Sequence, residues 1–214
     1  MAVTYPYSIA FLADTLRIKT AITDIQRNDE LSGTGDGRIW QAELAPPLWT
    51  LTVGLALDTH DKIKQVAAKI RKLHGAQEPF YMYDTMSKYP QADPKGIILG
   101  SSTVTATITS NKSIVAFTGL PVGYKITVGD KFTILNSMTN KPHYHEASET
   151  VLANSSGVAT FACFPHLSTN LDSGNAVILK KPYGRFIIVP DSFAPGTGEG
   201  LYTEGAGFKA IEKK

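Results

Sequence analysis

Only one stretch of this 214-residue chain has a helical period. In residues 58–74, Ile63, Val66, Ala67, Ile70 and Leu73 recur at three- and four-residue steps and form one apolar stripe. Asp58 or Thr59 stands where an N-cap belongs, and Gly75 stands where a left-handed C-terminal cap belongs. The opposite face carries Lys62, Lys64, Lys69, Arg71 and Lys72. No aromatic side chains are interleaved with these cations for base stacking, so the sequence reads them as a solvated outer face. With a helix expected over 59–74 and nowhere else, nearly all remaining structure must be strand.

The strand pattern agrees. Segments 104–109 (VTATIT), 131–135 (KFTIL), 158–164 (VATFACF), 176–179 and 185–189 are short and rich in β-branched and aromatic residues. Residues 80–83 (FYMY) form a short aromatic strand after the helix, and 208–211 a final one. Segment 40–57 (WQAELAPPLWTLTVGLAL) alternates in its second half and is broken at Pro46-Pro47. Asn154-Ser-Ser-Gly157, Asp172-Ser-Gly174-Asn175 and Pro121-Val-Gly123 punctuate the strands as turns. The expected fold class is mainly β, sandwich- or barrel-like, with one α-helix. Seams fall at 89–102, where prolines and glycines gather, and at 180–184 (KKPYG).

Composition excludes several functions. Lys and Arg total 21 against 19 Asp and Glu, giving a net charge of +2, too little for a basic face that tracks a phosphate backbone. The single cysteine, Cys163, makes an intramolecular disulfide, a CxxC pair or a cysteine zinc site impossible, and its apolar strand makes it an inert core thiol. The N-terminal residues do not read as a signal peptide, and no run approaches the roughly 20 apolar residues of a membrane span. The expectation is a soluble protein made in a reducing cytoplasm, with no membrane insertion.

No catalytic set emerges, and the expectation is a non-enzyme without cofactor. Gly33-Thr-Gly35-Asp-Gly37 and Gly196-Thr-Gly198-Glu-Gly200 lack the flanking strand, helix and Lys-Ser/Thr of a phosphate loop, and read as turns. His143 and His145 would share one face of a strand, with Glu149 near enough for a third metal ligand. Pro142 and Asn140-Lys141 instead place the pair on a surface hairpin, so no metal site is expected. Tyr81, Tyr83 and Tyr89 are candidates for stacking on a sugar, although such clusters more often pack a core. A carbohydrate-binding β-sandwich module is therefore an alternative function, and a metal-dependent enzyme using His143, His145 and Glu149 a remoter one.

The order of several segments carries more information than any one of them. Val128-Gly-Asp-Lys-Phe-Thr-Ile-Leu135, Asn154-Ser-Ser-Gly-Val-Ala-Thr-Phe161, Phe164-Pro-His-Leu167, Val177-Ile-Leu-Lys-Lys-Pro-Tyr-Gly-Arg-Phe186 and residues 200–212 (GLYTEGAGFKAIE) follow one another in the second half. In the first half, Trp40, Trp49, the 59–74 helix, Leu73-His-Gly75 and Phe80-Tyr-Met-Tyr-Asp84 follow in turn. Together they resemble the distal tail proteins, minor tail proteins of long-tailed bacteriophages. The resemblance runs from Trp40 onward, with His166 where the family pattern has arginine.

That resemblance implies a ring-forming β-domain of residues 1–98 and 182–214, interrupted by a small all-β domain of residues 99–181. It implies a virion protein, a homohexameric ring at the tail tip joining the tail tube protein to the hub, fibre and receptor-binding proteins. DNA would pass through the lumen as cargo. Neighbouring roles, such as a tail tube or tail terminator subunit, fall under the same resemblance.

Overall fold

The computed structural model describes residues 5–33, 35 and 37–214. The sequence readings of the extreme N-terminus, and of Thr34 and Asp36 in the first glycine-rich loop, therefore lie wholly or partly outside the described residues. After a short 3-10 turn (Ile9–Phe11) come β1 (Ile18–Gly33), β2 (Ile39–Leu55), β3 (Asp58–Thr59), α1 (His60–Lys72) and β4 (Phe80–Tyr83). Then follow β5 (Val104–Ile108), β6 (Ile114–Thr118), β7 (Lys125–Ile126), β8 (Lys131–Leu135), β9 (Pro142–Ala147) and β10 (Val151–Leu152). The chain ends with β11 (Ala159–Phe164), β12 (Asn175–Ile178), β13 (Tyr183–Ile188), β14 (Thr197–Glu199), β15 (Tyr202–Glu204) and β16 (Gly207–Glu212). The protein is mainly β with one α-helix among the described residues. Among the described residues no helix is long and apolar enough to cross a membrane.

Two compact units divide the chain. The first comprises Met1–Leu16, Pro79–Arg185 and Lys214; the second comprises Arg17–Glu78 and Phe186–Lys213.

The first unit is built on a closed antiparallel barrel in the order β11-β6-β5-β12-β8-β9. Closure leaves no free sheet edge, and alternate residues fill the interior. Phe117, Phe132 and Phe161 occupy its centre, with ring centroids 4.9–5.8 Å apart and planes near-perpendicular. This geometry sets ring edges against ring faces. The Asn154–Gly157 turn forms as its residues predict. Asn154 Oδ1 accepts from the N–H groups of Ser156 and Val158, and Gly157 takes φ +69°. β7 and β10 form a separate two-stranded ladder. β4 lies beside the N-terminal turn, where the Tyr7 N–H donates to the Pro79 carbonyl and the Tyr81 N–H donates to that of Tyr7.

In the second unit β2 is flanked by β1 and β16, and β16 pairs with the Phe186–Ile188 end of β13. On α1, Ile63, Ala67 and Ile70 are buried. Each isoleucine side chain contributes about 1.5–3 kcal/mol when withdrawn from water, and the Ala67 methyl less. The helix ends as expected, with positive φ at His74 and Gly75. Its start differs from the sequence expectation. Thr59 is the N-cap residue but makes no side-chain cap bond. Asp58 instead accepts from the adjacent Thr59 N–H and is paired with Arg17 (3.3 Å) and Lys62 (3.6 Å). The small β14-β15-β3 sheet reaches the helix start, where the His60 N–H donates to the Leu201 carbonyl and His60 Nδ1 lies 2.9 Å from Thr203 Oγ1.

β2 also differs from expectation, because Pro46-Pro47 does not interrupt it. The prolines lie in a register shift of the β1–β2 ladder, between the pairs Asn28↔Ala45 and Gln26↔Leu48. β16 pairs only with Thr50 and the residues after it. A missing N–H at 46 or 47 therefore breaks no ladder bond on that side.

Candidate functional site: an exposed hairpin arm

β1 and β2 form a hairpin of 16 and 17 residues, several times the usual strand length. Its proximal part belongs to the second unit's core. Along β2, Trp49, Leu51, Val53 and Leu55 are buried in alternation with more exposed residues. β16 also covers the free side of β2 from Gly54 to Thr50. Beyond that point the ribbon continues with no third strand in register among the described residues. From Asn28 to Gly33 it runs roughly 20 Å at the strand rise of about 3.3 Å per residue.

This distal ribbon is apolar without being covered. Leu31 is 68% exposed, Ile39 73%, Trp40 65% and Leu44 67%. The pairing sets residues by face: Gly33↔Ile39, Leu31↔Gln41 and Asp29↔Glu43 lie on one side, Ser32↔Trp40 and Glu30↔Ala42 on the other. Asp29 and Glu43 are directly opposed, which is unfavourable for like charges. Arg27 relieves this, with Nε 2.6 Å from Asp29 and Nη2 3.9 Å from Glu43. Gln41 Nε2 donates a further hydrogen bond to Asp29. The Arg27 hydrogen bond, supported by that of Gln41, holds the Asp29 carboxyl below its ordinary range. A two-stranded ribbon with solvent on both faces is at best marginally stable alone. Exposed Leu, Ile and Trp on such a ribbon mark a surface that another protein covers.

Sequence reasoning did not find this arm. The usable signal was Gly33-Thr-Gly35-Asp-Gly37, a glycine-rich tip between two long runs, which the sequence reads as no more than a turn.

The residues singled out from sequence stand elsewhere. His143 and His145 lie on β9 opposite Ile134 and Phe132, so they share the face of those two core residues. The expected hairpin tip is present, with Asn140 at φ +54°, but His145 is 4% exposed and not on the surface. Its Nδ1 is 2.7 Å from the Pro165 carbonyl, and its ring stacks on Phe132. Burial pushes its pKa down to about 3, holding it neutral, and burial also lowers that of His143. Glu149 accepts a hydrogen bond from the Ala162 N–H. Among the described residues no group of three or more His, Cys, Asp or Glu is placed to hold a metal ion.

Tyr81 packs on Tyr183 at 4.8 Å between ring centroids. Tyr83 is buried, donates to Asp14 at 2.9 Å and lies under the Lys181 ammonium. Tyr89 is half-buried near Gly96. Gly196 and Gly200 flank β14, both at positive φ. Cys163 is buried among barrel residues, and burial raises its pKa to about 12. The thiol is therefore protonated at neutral pH, as the apolar strand implied. No family model matches the chain, and no curated protein matches it.

Proposed function

We propose that this chain is a structural protein of a bacteriophage tail tip, assembling as a closed homo-oligomeric ring, six copies on the family resemblance. The ring would join the tail tube to the hub and its receptor-binding proteins, with DNA passing through the lumen. The protein would be made in the bacterial cytoplasm and reside in the virion.

The observation that carries this reading is the distal β1–β2 ribbon, which presents Leu31, Ile39, Trp40 and Leu44 to solvent on an element without a core of its own. A surface that is costly to leave bare on every copy suits repeated contacts between copies that close into a ring. The ordered segments from Trp40 onward supply the tail-tip context.

The test is native mass by light scattering across concentration, followed by negative-stain electron microscopy, alone and with purified tail tubes. Rings with a central opening at about 139 kDa, six times 23.1 kDa, support the reading. A chain that stays monomeric at high concentration and adds to no tail tube overturns it.

A further inference from the structure

The ring reading leaves open which surface receives the arm. We infer that the distal arm of one copy docks on the outward face of α1 of the next copy, an inference that rests on the ring-forming reading above. Two observations on different elements of the second unit carry it.

The first is charge. Residues 27–45 of the arm carry the carboxylates Asp29, Glu30, Asp36 and Glu43 against the guanidinium groups of Arg27 and Arg38. Helix α1 carries Lys62, Lys64, Lys69, Arg71 and Lys72 against the single carboxylate of Asp61. The chain as a whole is nearly neutral at +2, so these two elements hold opposite local excesses that an overall count conceals. Opposed excesses on two surfaces of one chain favour heterologous contact between copies and disfavour arm on arm or helix on helix.

The second is shape. With Ile63, Ala67 and Ile70 facing the core, helical spacing puts Asp61, Gln65, Ala68 and Lys72 along the outward midline. Lys64 and Arg71 flank that line on one side, Lys62 and Lys69 on the other. Ala68 is exposed and short, so the Trp40 face of a ribbon can approach the helix closely there, with cations on both sides near Glu30 and within the field of the arm's other carboxylates. Thirteen helical residues span roughly 20 Å, matching the roughly 20 Å of free ribbon. Trp40, on the ribbon face that also carries Glu30, supplies the apolar area, and the aliphatic stems of the flanking lysines and arginine supply surface for it to cover.

The experiment is a charge exchange on the full chain, read by light scattering and sedimentation. One variant reverses the arm (E30K/E43K), a second reverses the helix (K64E/R71E), and a third carries all four changes. All four positions are exposed. Circular dichroism and thermal midpoint check that each variant folds. The expected result is self-association weakened at least about tenfold in each double variant, and restored in the fourfold variant. An equimolar mixture of the two double variants also reassembles. Each lysine arm then meets a glutamate helix, each native arm meets a native helix, and subunits alternate around the ring. Wild-type assembly weakens as salt rises.

If wild-type rings form and neither reversal weakens them, the arm–helix contact is wrong while the ring reading stands. Reversals that weaken assembly but are rescued neither in the fourfold variant nor by mixing also overturn the contact. A wild-type chain that forms no ring, alone or on tail tubes, removes the ring reading and this inference with it.

Discussion

The Glu212 carboxylate, 6% exposed, accepts a hydrogen bond from the Trp49 backbone N–H at 3.2 Å across 163 positions of sequence. β16 pairs with β2 as far as Thr50, and Glu212 carries the connection one residue further with its side chain. That contact sits where the arm leaves the sheet, so the end of the chain fixes the arm's root. Replacing the carboxylate by a methyl group removes this buried hydrogen bond to a charged group, which costs about 1–3 kcal/mol. Glu212→Ala is therefore expected to lower the unfolding free energy by that amount, read as a lower urea midpoint with little change in slope. A shift below about 0.3 kcal/mol would show that the bond is dispensable.

His145 sets an acid limit on the barrel. Its folded pKa is pushed down to about 3 by burial, against about 6.5 in an unfolded chain. Between these values the unfolded state binds more protons, so the stabilisation is fully present above pH 6.5 and is lost as pH falls toward 3. The slope from this group approaches about 1.4 kcal/mol per pH unit inside that window. Subtracting a His145→Gln stability curve from that of the wild type isolates the effect, since every other titrating group is common to both. A difference curve that is flat from pH 6.5 to 4 would refute the assignment.

Gly157 closes the turn between Asn154 and β11. It takes φ +69°, and a Cβ there would lie 2.3 Å from the Leu120 carbonyl oxygen, a backbone atom that cannot rotate away. Leu120 and Gly157 are also joined by a backbone hydrogen bond of 3.1 Å. Gly157→Ala is expected to destabilise the protein by roughly 2 kcal/mol or more, combining left-handed strain with displacement of that bond. At Gly174, also at positive φ but with nothing within 4 Å of its Cβ position, alanine is expected to cost less. Equal midpoints in thermal melts of the two variants would contradict the clash.

The contrast between turn and arm explains what the sequence made legible. The barrel strands β5, β8 and β11 combine β-branched residues with turn signals such as Asn154-Ser-Ser-Gly157, so their positions follow from local chemistry. α1 is legible because one face is buried, which imposes a period of 3.6. The distal arm has no buried face and imposes no period. Asp29, Glu30, Leu31 and Ser32 are all exposed or half-exposed, and their alternation is set by pairing with β2 rather than by a core. Pro46-Pro47 reads as a break within residues 40–57 because the register shift that accommodates the prolines depends on β1, a partner 18 or more residues away. His145 appeared superficial for a related reason: its Pro165 and Phe132 neighbours come from other parts of the barrel.

The two tryptophans give the arm a built-in reporter. Trp49 is 2% exposed at the root and Trp40 is 65% exposed on the distal ribbon. In the monomer, acrylamide is therefore expected to quench about half of the tryptophan emission readily, with the emission of Trp49 protected. On association, coverage of the arm is expected to shift emission to the blue and reduce the quenchable fraction in step with the rise in mass. Trp40→Ser removes the accessible component, and because the side chain touches no core it is expected to change monomer stability by less than about 0.5 kcal/mol. The same substitution removes a large aromatic anchor from the contact, so association is expected to weaken by about 2 kcal/mol or more. If the Trp40→Ser chain assembles at wild-type concentrations, or if Trp40 stays fully quenchable in the assembled ring, the distal arm is not the element that joins the copies.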